Sequence, residues 1–197
     1  SRTSMRRILI CRSSMSTVAS MAYSRTAGVF HWLVAFPVIG CIGTVMKSQQ
    51  VPKEEKPLWM FRHKSLGLLT GMIVAPRLAY RLFSGKYTVR PLEGNVQWEN
   101  MAGTLSHYAL YGFMVIMPAT GIAMGYYGGK GLPFFTTTLS GAKVANGQIA
   151  KNSFKIHKQL GTYGKYLIPL HVGASGFHWV RGQSIFTRIN PFRAARG

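Results

Sequence analysis

Four long apolar stretches alternate with polar connectors along the chain. The apolar stretches span residues 28–46, 66–83, 101–127 and 161–180, and the second and fourth can be extended back to His63 and His157. Each is close to the ~20 residues that a helix needs to cross the hydrocarbon core of a bilayer. The pattern therefore predicts four transmembrane helices. The predicted connectors are residues 47–62, 84–100 and 128–155.

Each apolar stretch contains one proline. These are Pro37, Pro76, Pro118 and Pro169. One proline inside a soluble helix costs roughly 3 kcal/mol, and four would be hard to tolerate in one soluble bundle. Membrane helices accept proline because neighbouring helices satisfy the freed carbonyl groups. The prolines thus favour an all-α membrane protein, a bundle of four transmembrane helices, over a soluble four-helix protein.

The charge of the chain is one-sided. Its 197 residues include 24 Lys and Arg but only four acidic residues, and 47% of the chain is hydrophobic. A net charge of +20 is often a sign of nucleic-acid binding. Here the positive residues lie between hydrophobic runs, which better suits anionic lipid headgroups, such as those of cardiolipin, or acidic partner subunits. We expect membrane lipids and protein subunits as partners, and no nucleic acid.

Three parts follow from composition: a basic amino-terminal extension at 1–26, a membrane domain at 27–183 and a basic tail at 184–197. The extension has five arginines, many serines and no acidic residue. That composition is typical of a mitochondrial targeting segment. A basic, partly disordered tail on a membrane protein explains it equally well, and a retained segment would be docked onto a partner. Lys and Arg are slightly more numerous on the face formed by both tails and the second connector, so the termini are assigned to the inner side.

Histidines recur at matching depths in the predicted helices. His157 and His171 are fourteen residues apart, which returns them to one face of a helix, roughly 21 Å apart along it. The up-and-down topology puts His63 level with His157, and His31 level with His171. A lone intramembrane histidine is often only hydrogen-bonded to a neighbouring helix. Four histidines at matching depths on three helices favour two metal centres, one toward each side of the membrane.

Haem fits these pairs better than zinc or copper. Two imidazoles alone make an incomplete zinc site, and no Cys, Asp or Glu is placed to complete it. Haem iron takes four nitrogens from its macrocycle and needs only two more ligands. Bis-imidazole ligation leaves no open position, which favours electron transfer over oxygen binding. The two cysteines form no C-x-x-C-H motif and no cluster-binding set, so any haem is held without a covalent link.

Small and cationic residues accompany the histidines. Gly67 and Gly161 each follow a predicted ligand by one helical turn, and Gly71 follows His63 by two turns, so a flat macrocycle could approach the backbone there. Plain helix packing is an equally good explanation for any single glycine. Cations suited to haem propionates are Arg62, Lys64, Lys155 and Lys158 at the outer pair, and Arg77 and Arg81 at the inner pair. Headgroup contact is the alternative for these cations.

Two further histidines lie toward the inner side, His107 and His178. Either could bind a quinone carbonyl or carry its proton, because imidazole titrates near neutral pH. A hydrogen bond at the membrane interface is the alternative, and for His178 it is slightly favoured. Lys165, in the middle of the fourth helix, is compatible with snorkelling, with a partner subunit or with a propionate.

The chain resembles the bacterial-type cytochrome b-561 family, which is related to the cytochrome b subunits of nickel–iron hydrogenases and formate dehydrogenases. The resemblance covers residues 26–192. Its motifs are "FHWLV" (30–34), "RHKSLGLL" (62–69), "APRLAYRL" (75–82), "SHYALYGFMVIMPATGIAM" (106–124), "IHKQLGTYGKYLIPLH" (156–171) and "FHWV" (177–180). The resemblance implies a four-helix bundle with two b-type haems that moves electrons between a quinone pool and a partner. The family's ligand positions fall on His31, His63, His157 and His171.

The basic extension and the scarcity of acidic residues depart from the bacterial pattern. They indicate a mitochondrial relative in the inner membrane; a bacterial cytoplasmic membrane is the alternative. The sequence thus predicts a dihaem b-type cytochrome that exchanges electrons with quinone or quinol as a subunit of a respiratory complex. The alternative is a structural accessory subunit whose haems lie off the main electron path. Whether the chain has an enzymatic activity of its own is left open, and a transporter or a nucleic-acid-binding membrane protein ranks far behind.

Overall fold

The computed structural model of the protein describes residues 25–83, 94–183 and 185–192. Within these ranges the chain forms four long helices, a small hairpin and one short helix. In chain order they are α1 (Arg25–Gln50), α2 (Lys56–Phe83), α3 (Gln97–Tyr127), β1 (Leu132–Phe134), β2 (Thr137–Leu139), α4 (Gly147–Val180) and α5 (Ile185–Ile189). Most of the predicted extension at 1–26, much of the second connector and the last residues of the predicted tail lie outside the described residues.

Each predicted apolar stretch lies within one long helix, and each helix retains its internal proline. Within the described part of the chain, α1, α2 and α3 are long and apolar enough to cross a membrane. The α4 helix is long enough, with 34 residues, but lysines and histidines interrupt it, so no stretch of membrane length is as apolar as those in the other three. The fold is therefore that of a mostly helical, multi-pass membrane protein.

The helices pack as two neighbouring pairs. The α1 helix lies mainly along α2, and α3 lies mainly along α4, while α2 and α3 join the two pairs. Among the residues that the structure describes, few large apolar side chains are buried: Val34, Leu68, Val74 and Leu110. Many large apolar side chains are exposed instead, among them Phe36, Leu105 and Leu170. Such a surface suits a bilayer, because lipid rather than protein covers its apolar faces.

The connector predicted at 128–155 is more structured than the sequence indicated. The antiparallel strands β1 and β2 form a hairpin, and Asn146 caps α4 by accepting a hydrogen bond from the backbone N–H of Ile149. The hairpin sits on α2 through Ser65, which is fully buried. The Ser65 hydroxyl donates to Phe61 O and accepts from Phe135 N at 3.0 Å each. The only β-structure described thus lies against the amino-terminal half of α2.

The segment after α4 turns back across the opposite end of the bundle. Arg181 forms an ion pair with Glu99 at 2.7 Å, which ties the end of α4 to the start of α3. Trp32 Nε1 donates to Ile189 O at 3.0 Å, and a Cβ added to Gly28 would meet the same oxygen at 3.1 Å. The short α5 therefore packs against the beginning of α1.

Candidate functional site

The structure brings His63 of α2 and His157 of α4 together. Their ring centroids are 6.2 Å apart, and the two ring planes are nearly perpendicular, at 83°. Each Nδ1 lies close to a backbone carbonyl of a different helix: His63 Nδ1 is 2.9 Å from Cys41 O, and His157 Nδ1 is 3.0 Å from Met117 O. We call these two histidines the outer pair.

The carbonyl contacts determine which ring nitrogens of the outer pair are free. A carbonyl oxygen can only accept, so each Nδ1–H must donate to it. This leaves the Nε2 lone pair of each imidazole available to a metal. Metal-bound histidines commonly donate their second ring N–H to a carbonyl in this way. The hydroxyl oxygen of Thr120 lies 3.1 Å from His157 Nδ1 and adds a second polar contact to that ring.

A second pair lies toward the other end of the bundle. His31 of α1 and His171 of α4 have ring centroids 6.4 Å apart, with 47° between the ring planes. We call these two histidines the inner pair. Both pairs link α4 to the α1–α2 half of the bundle, although α4 packs mainly along α3. The histidines thus face one another across the least tightly packed seam of the fold.

The spacing of both pairs suits two imidazoles that share one metal ion. A metal–imidazole bond of about 2.0 Å on each side of the ion puts the two ring centroids roughly 6.3 Å apart. The observed values are 6.2 and 6.4 Å. Within the described ranges no group of three or more His, Cys, Asp or Glu side chains could hold a bare metal ion. Two nitrogen donors per site therefore fit a metal that brings its other ligands with it, as haem iron does.

The glycines near the outer pair differ in their surroundings. A Cβ added to Gly67 would meet nothing within 4 Å, and one added to Gly161 would meet only Met117 Cε at 3.8 Å. Both positions therefore leave room for a flat group beside the histidines. A Cβ added to Gly71 would contact Pro118 at 3.2 Å, so Gly71 serves the packing of α2 against α3.

The predicted cationic residues occupy distinct places. Arg77 Nη1 is 3.5 Å from the backbone carbonyl of Phe30, the residue before His31. The guanidinium of Arg81 lies over the Tyr111 ring at 4.6 Å, and that of Arg62 lies over the Trp59 ring at 4.7 Å. Arg77 is therefore the predicted cation that the structure puts beside the inner pair.

The structure separates the two remaining histidines. His107 lies against the inner pair, with its ring centroid 5.3 Å from that of His171, and its Nδ1 donates to Gly103 O at 2.6 Å. His178 instead contacts Gln183 Oε1 at 2.6 Å through Nδ1, and Gln183 in turn donates to Asn95 at 2.6 Å. His178 is thus part of the interface between the ends of α3 and α4.

Some site residues had no signal in the sequence. Cys41 and Met117 contribute backbone carbonyls, which any residue type would supply. Thr120 is one of many polar residues in apolar spans, and only its contact with His157 distinguishes it. Ser65 lies two residues after His63, but its hairpin partner is 70 residues away along the chain.

Fold and site together define a helical membrane protein with paired imidazoles suited to haem. The sequence model described as "Prokaryotic cytochrome b561" matches residues 22–191, and the chain belongs to this family. It is 26% identical to "Cytochrome b561 homolog 1" of Escherichia coli (strain K12) over 175 residues, which cover 87% of this chain and 98% of the relative. The protein is thus a b-type cytochrome of membrane electron transfer, with haem b as its cofactor.

Proposed function

We propose that the protein is a dihaem cytochrome. His63 and His157 hold one haem b, and His31 and His171 hold the other. The observation that carries this proposal is the matched spacing of the two histidine pairs, 6.2 and 6.4 Å between ring centroids. When bound in this way, haem iron transfers single electrons and has no free position for oxygen. In this proposal α4 is the fourth membrane-spanning helix, because it contributes one ligand to each site.

A pyridine haemochrome assay on the purified protein tests the haem count. We expect two haems b per chain in the wild type and one in His157→Ala. His178→Ala is the matched control, since it removes a histidine from the same helix that lies outside both pairs, and it should retain two haems. One haem per chain in the wild type, or an equal loss in the control, would contradict the dihaem assignment.

Quinone or quinol is the proposed redox partner at the inner end. The support is His107, whose Nδ1 donates to Gly103 O and whose Nε2 is therefore free to accept a proton beside the inner pair. Quinol oxidation releases protons together with electrons, so a basic imidazole next to a redox centre suits it. His107→Ala should slow haem reduction by a short-chain quinol at least tenfold, an effect on the order of general-base catalysis. His178→Ala, whose ring bonds to Gln183, should change that rate much less.

A role as a subunit of a respiratory complex, in the mitochondrial inner membrane, completes the proposal. Its support is the acid-free basic segment at 1–26 and the small number of acidic residues elsewhere. Expression of the chain with a fluorescent tag and fractionation of the mitochondria test this location. Recovery in another membrane would contradict it. A bacterial cytoplasmic membrane is the alternative, as the bacterial relative illustrates.

A structural accessory subunit is the second candidate. The observation that favours it is Lys165, which is exposed in the middle of α4, where a neighbouring subunit with an acidic group would satisfy it. The two candidates differ in the distance from each haem to the nearest cofactor of a partner. A continuous chain of close centres supports electron transfer through the protein, and isolated haems support the accessory role.

A further inference from the structure

The α4 helix is much longer than a membrane crossing requires. Its 34 residues extend over about 51 Å, whereas the hydrocarbon core of a bilayer is about 30 Å thick. Its inner end is marked by the exposed Trp179 and by Arg181, which pairs with Glu99. Counting back ~20 residues from Val180 puts the outer edge of the hydrocarbon near residue 160. The first three turns of α4 therefore lie beyond that edge.

This outer segment of α4 carries three lysines and a phenylalanine on one side. Lys151, Phe154, Lys155 and Lys158 follow one another at intervals of three, one and three residues, so they share one side of the helix. All four are exposed, and Phe154 is 51% exposed. We call this surface the lysine face. It lies within two turns of His157, the ligand from α4 in the outer pair.

The part of the chain next to the lysine face carries further lysines and no acidic residue. Lys130 and Lys143 are exposed on the connector before α4, and no acidic residue follows Glu99 in the sequence. Val144, beside Lys143, is 85% exposed. An exposed aromatic and an exposed aliphatic side chain among lysines resemble the apolar centre and charged rim of a protein interface.

The distance of the lysine face from the hydrocarbon core distinguishes a protein partner from lipid. Lys151 lies roughly 13 Å, and Phe154 roughly 9 Å, beyond the estimated edge of the hydrocarbon. The headgroup layer is only about 5–8 Å thick on each side. Lys151 and Phe154 therefore lie in water outside the layer where phosphates bind, although Lys155 lies near its outer boundary and Lys158 lies within it. An exposed phenylalanine in water favours a partner that covers it with protein.

We propose that the lysine face is the docking surface for an acidic protein on the outer side of the membrane. The partner presents Asp and Glu side chains to Lys151 and Lys155 and an apolar contact to Phe154. Docking there brings the partner next to the outer pair. This inference rests on the proposed function in that it takes α4 as a membrane-spanning helix beside a haem.

Binding of an acidic probe tests the proposal directly. The full-length holoprotein is placed in nanodiscs of phosphatidylcholine, which has no net charge, and a plant-type ferredoxin, a small acidic soluble protein, is titrated against it. We expect saturable binding at low salt that weakens as salt screens the charges. The double variant Lys151→Glu/Lys155→Glu should weaken binding at least about tenfold, and Phe154→Ala should weaken it by several fold.

Lys53→Glu is the matched control. Lys53 is also exposed and lies at the same end of the bundle, in the turn between α1 and α2, but it is next to Glu54 and Glu55. Its reversal should change the affinity by no more than about twofold, as expected for an exposed charge outside the docking surface. The neutral variant Lys151→Gln/Lys155→Gln should give an intermediate affinity, which guards against a folding defect in the charge-reversed protein.

Three results would overturn the proposal. The first is an absence of salt-dependent ferredoxin binding to the wild type, and the second is an equal loss of binding in Lys53→Glu. The third is a double variant that adsorbs less to anionic vesicles but keeps its affinity for the ferredoxin, because these lysines would then bind lipid instead of protein. The haem spectrum of each sample separates this inference from the dihaem proposal. An absence of binding to the wild type with an intact two-haem spectrum rejects the docking surface alone, and binding to a wild type that holds only one haem rejects the dihaem assignment alone.

Discussion

The two ends of the histidine seam are built differently. At the outer end, both rings are oriented by backbone carbonyls, Cys41 O for His63 and Met117 O for His157, and a hairpin anchored on Ser65 packs nearby. At the inner end, a third imidazole, His107, and the guanidinium of Arg77 lie close to the ligand pair. The outer site is thus organised to hold its rings in one orientation. The inner site adds groups that can bind anions and move protons.

Removal of one ligand from each pair is the strongest test of this comparison. His63→Ala should abolish the outer haem and leave the inner one, and His31→Ala should do the reverse, because each iron loses one of its two protein ligands. Redox titration of the α band should then show one component in place of two. Loss of both haems in either variant would mean that the two sites are not independent.

The next largest expected effect is the loss of haem when the empty space at Gly67 is filled. A Cβ there meets no protein atom within 4 Å, so the protein itself leaves space where a side chain would begin. If a macrocycle occupies that space, Gly67→Leu should lower occupancy of the outer haem by half or more and leave the inner haem in place. Gly173→Leu, an exposed position on α4 where a Cβ also meets nothing, is the control. Equal haem content in both variants would place the outer haem elsewhere.

The hydrogen bond between Ser65 and Phe135 predicts that the hairpin depends on Ser65 for its stability. Ser65→Ala leaves the partly buried N–H of Phe135 without its hydroxyl acceptor, which should cost about 1 kcal/mol and loosen the hairpin. Limited proteolysis between residues 128 and 146 should become faster. Ser48→Ala is the matched control, because Ser48 is buried but bonds within its own helix. Unchanged cleavage in Ser65→Ala would show that the hairpin is held by other contacts.

The smallest expected effect concerns Thr120. The Nδ1–H of His157 is shared between two acceptors, the Thr120 hydroxyl oxygen and Met117 O. Such hydrogen bonds make the imidazole a stronger electron donor to the metal. Thr120→Val should therefore raise the potential of the outer haem by about 20–60 mV, the equivalent of one ordinary hydrogen bond. The inner potential should not move, and Thr162→Val should move neither potential. A shift in the potential of the inner haem instead would reverse the assignment of the two potentials to the two histidine pairs.

The positions of the four long helices and the pairing of histidines were accessible without coordinates, although the helices extend beyond the predicted stretches, most of all α4, which begins at Gly147. A helix repeats its faces regularly, so the fourteen-residue interval between His157 and His171 placed both on one side of α4. Alternating helix direction then matched His63 with His157 and His31 with His171, and the structure brings both pairs within 6.4 Å. These features depend on spacing along the chain and on the thickness of a bilayer, both of which the sequence contains.

Tertiary structure decided the surroundings of those histidines. Three features depend on how separate helices rotate and approach one another. They are the carbonyl that accepts from His63, the contact of His107 rather than His178 with His171, and the folding of residues 132–139 onto Ser65. No local pattern encodes those rotations, because backbone carbonyls are the same in every residue type and hairpin contacts join positions 70 residues apart. The chain alone therefore determined where ligands can pair, and only the packed helices determined how each pair is held and what lies beside it.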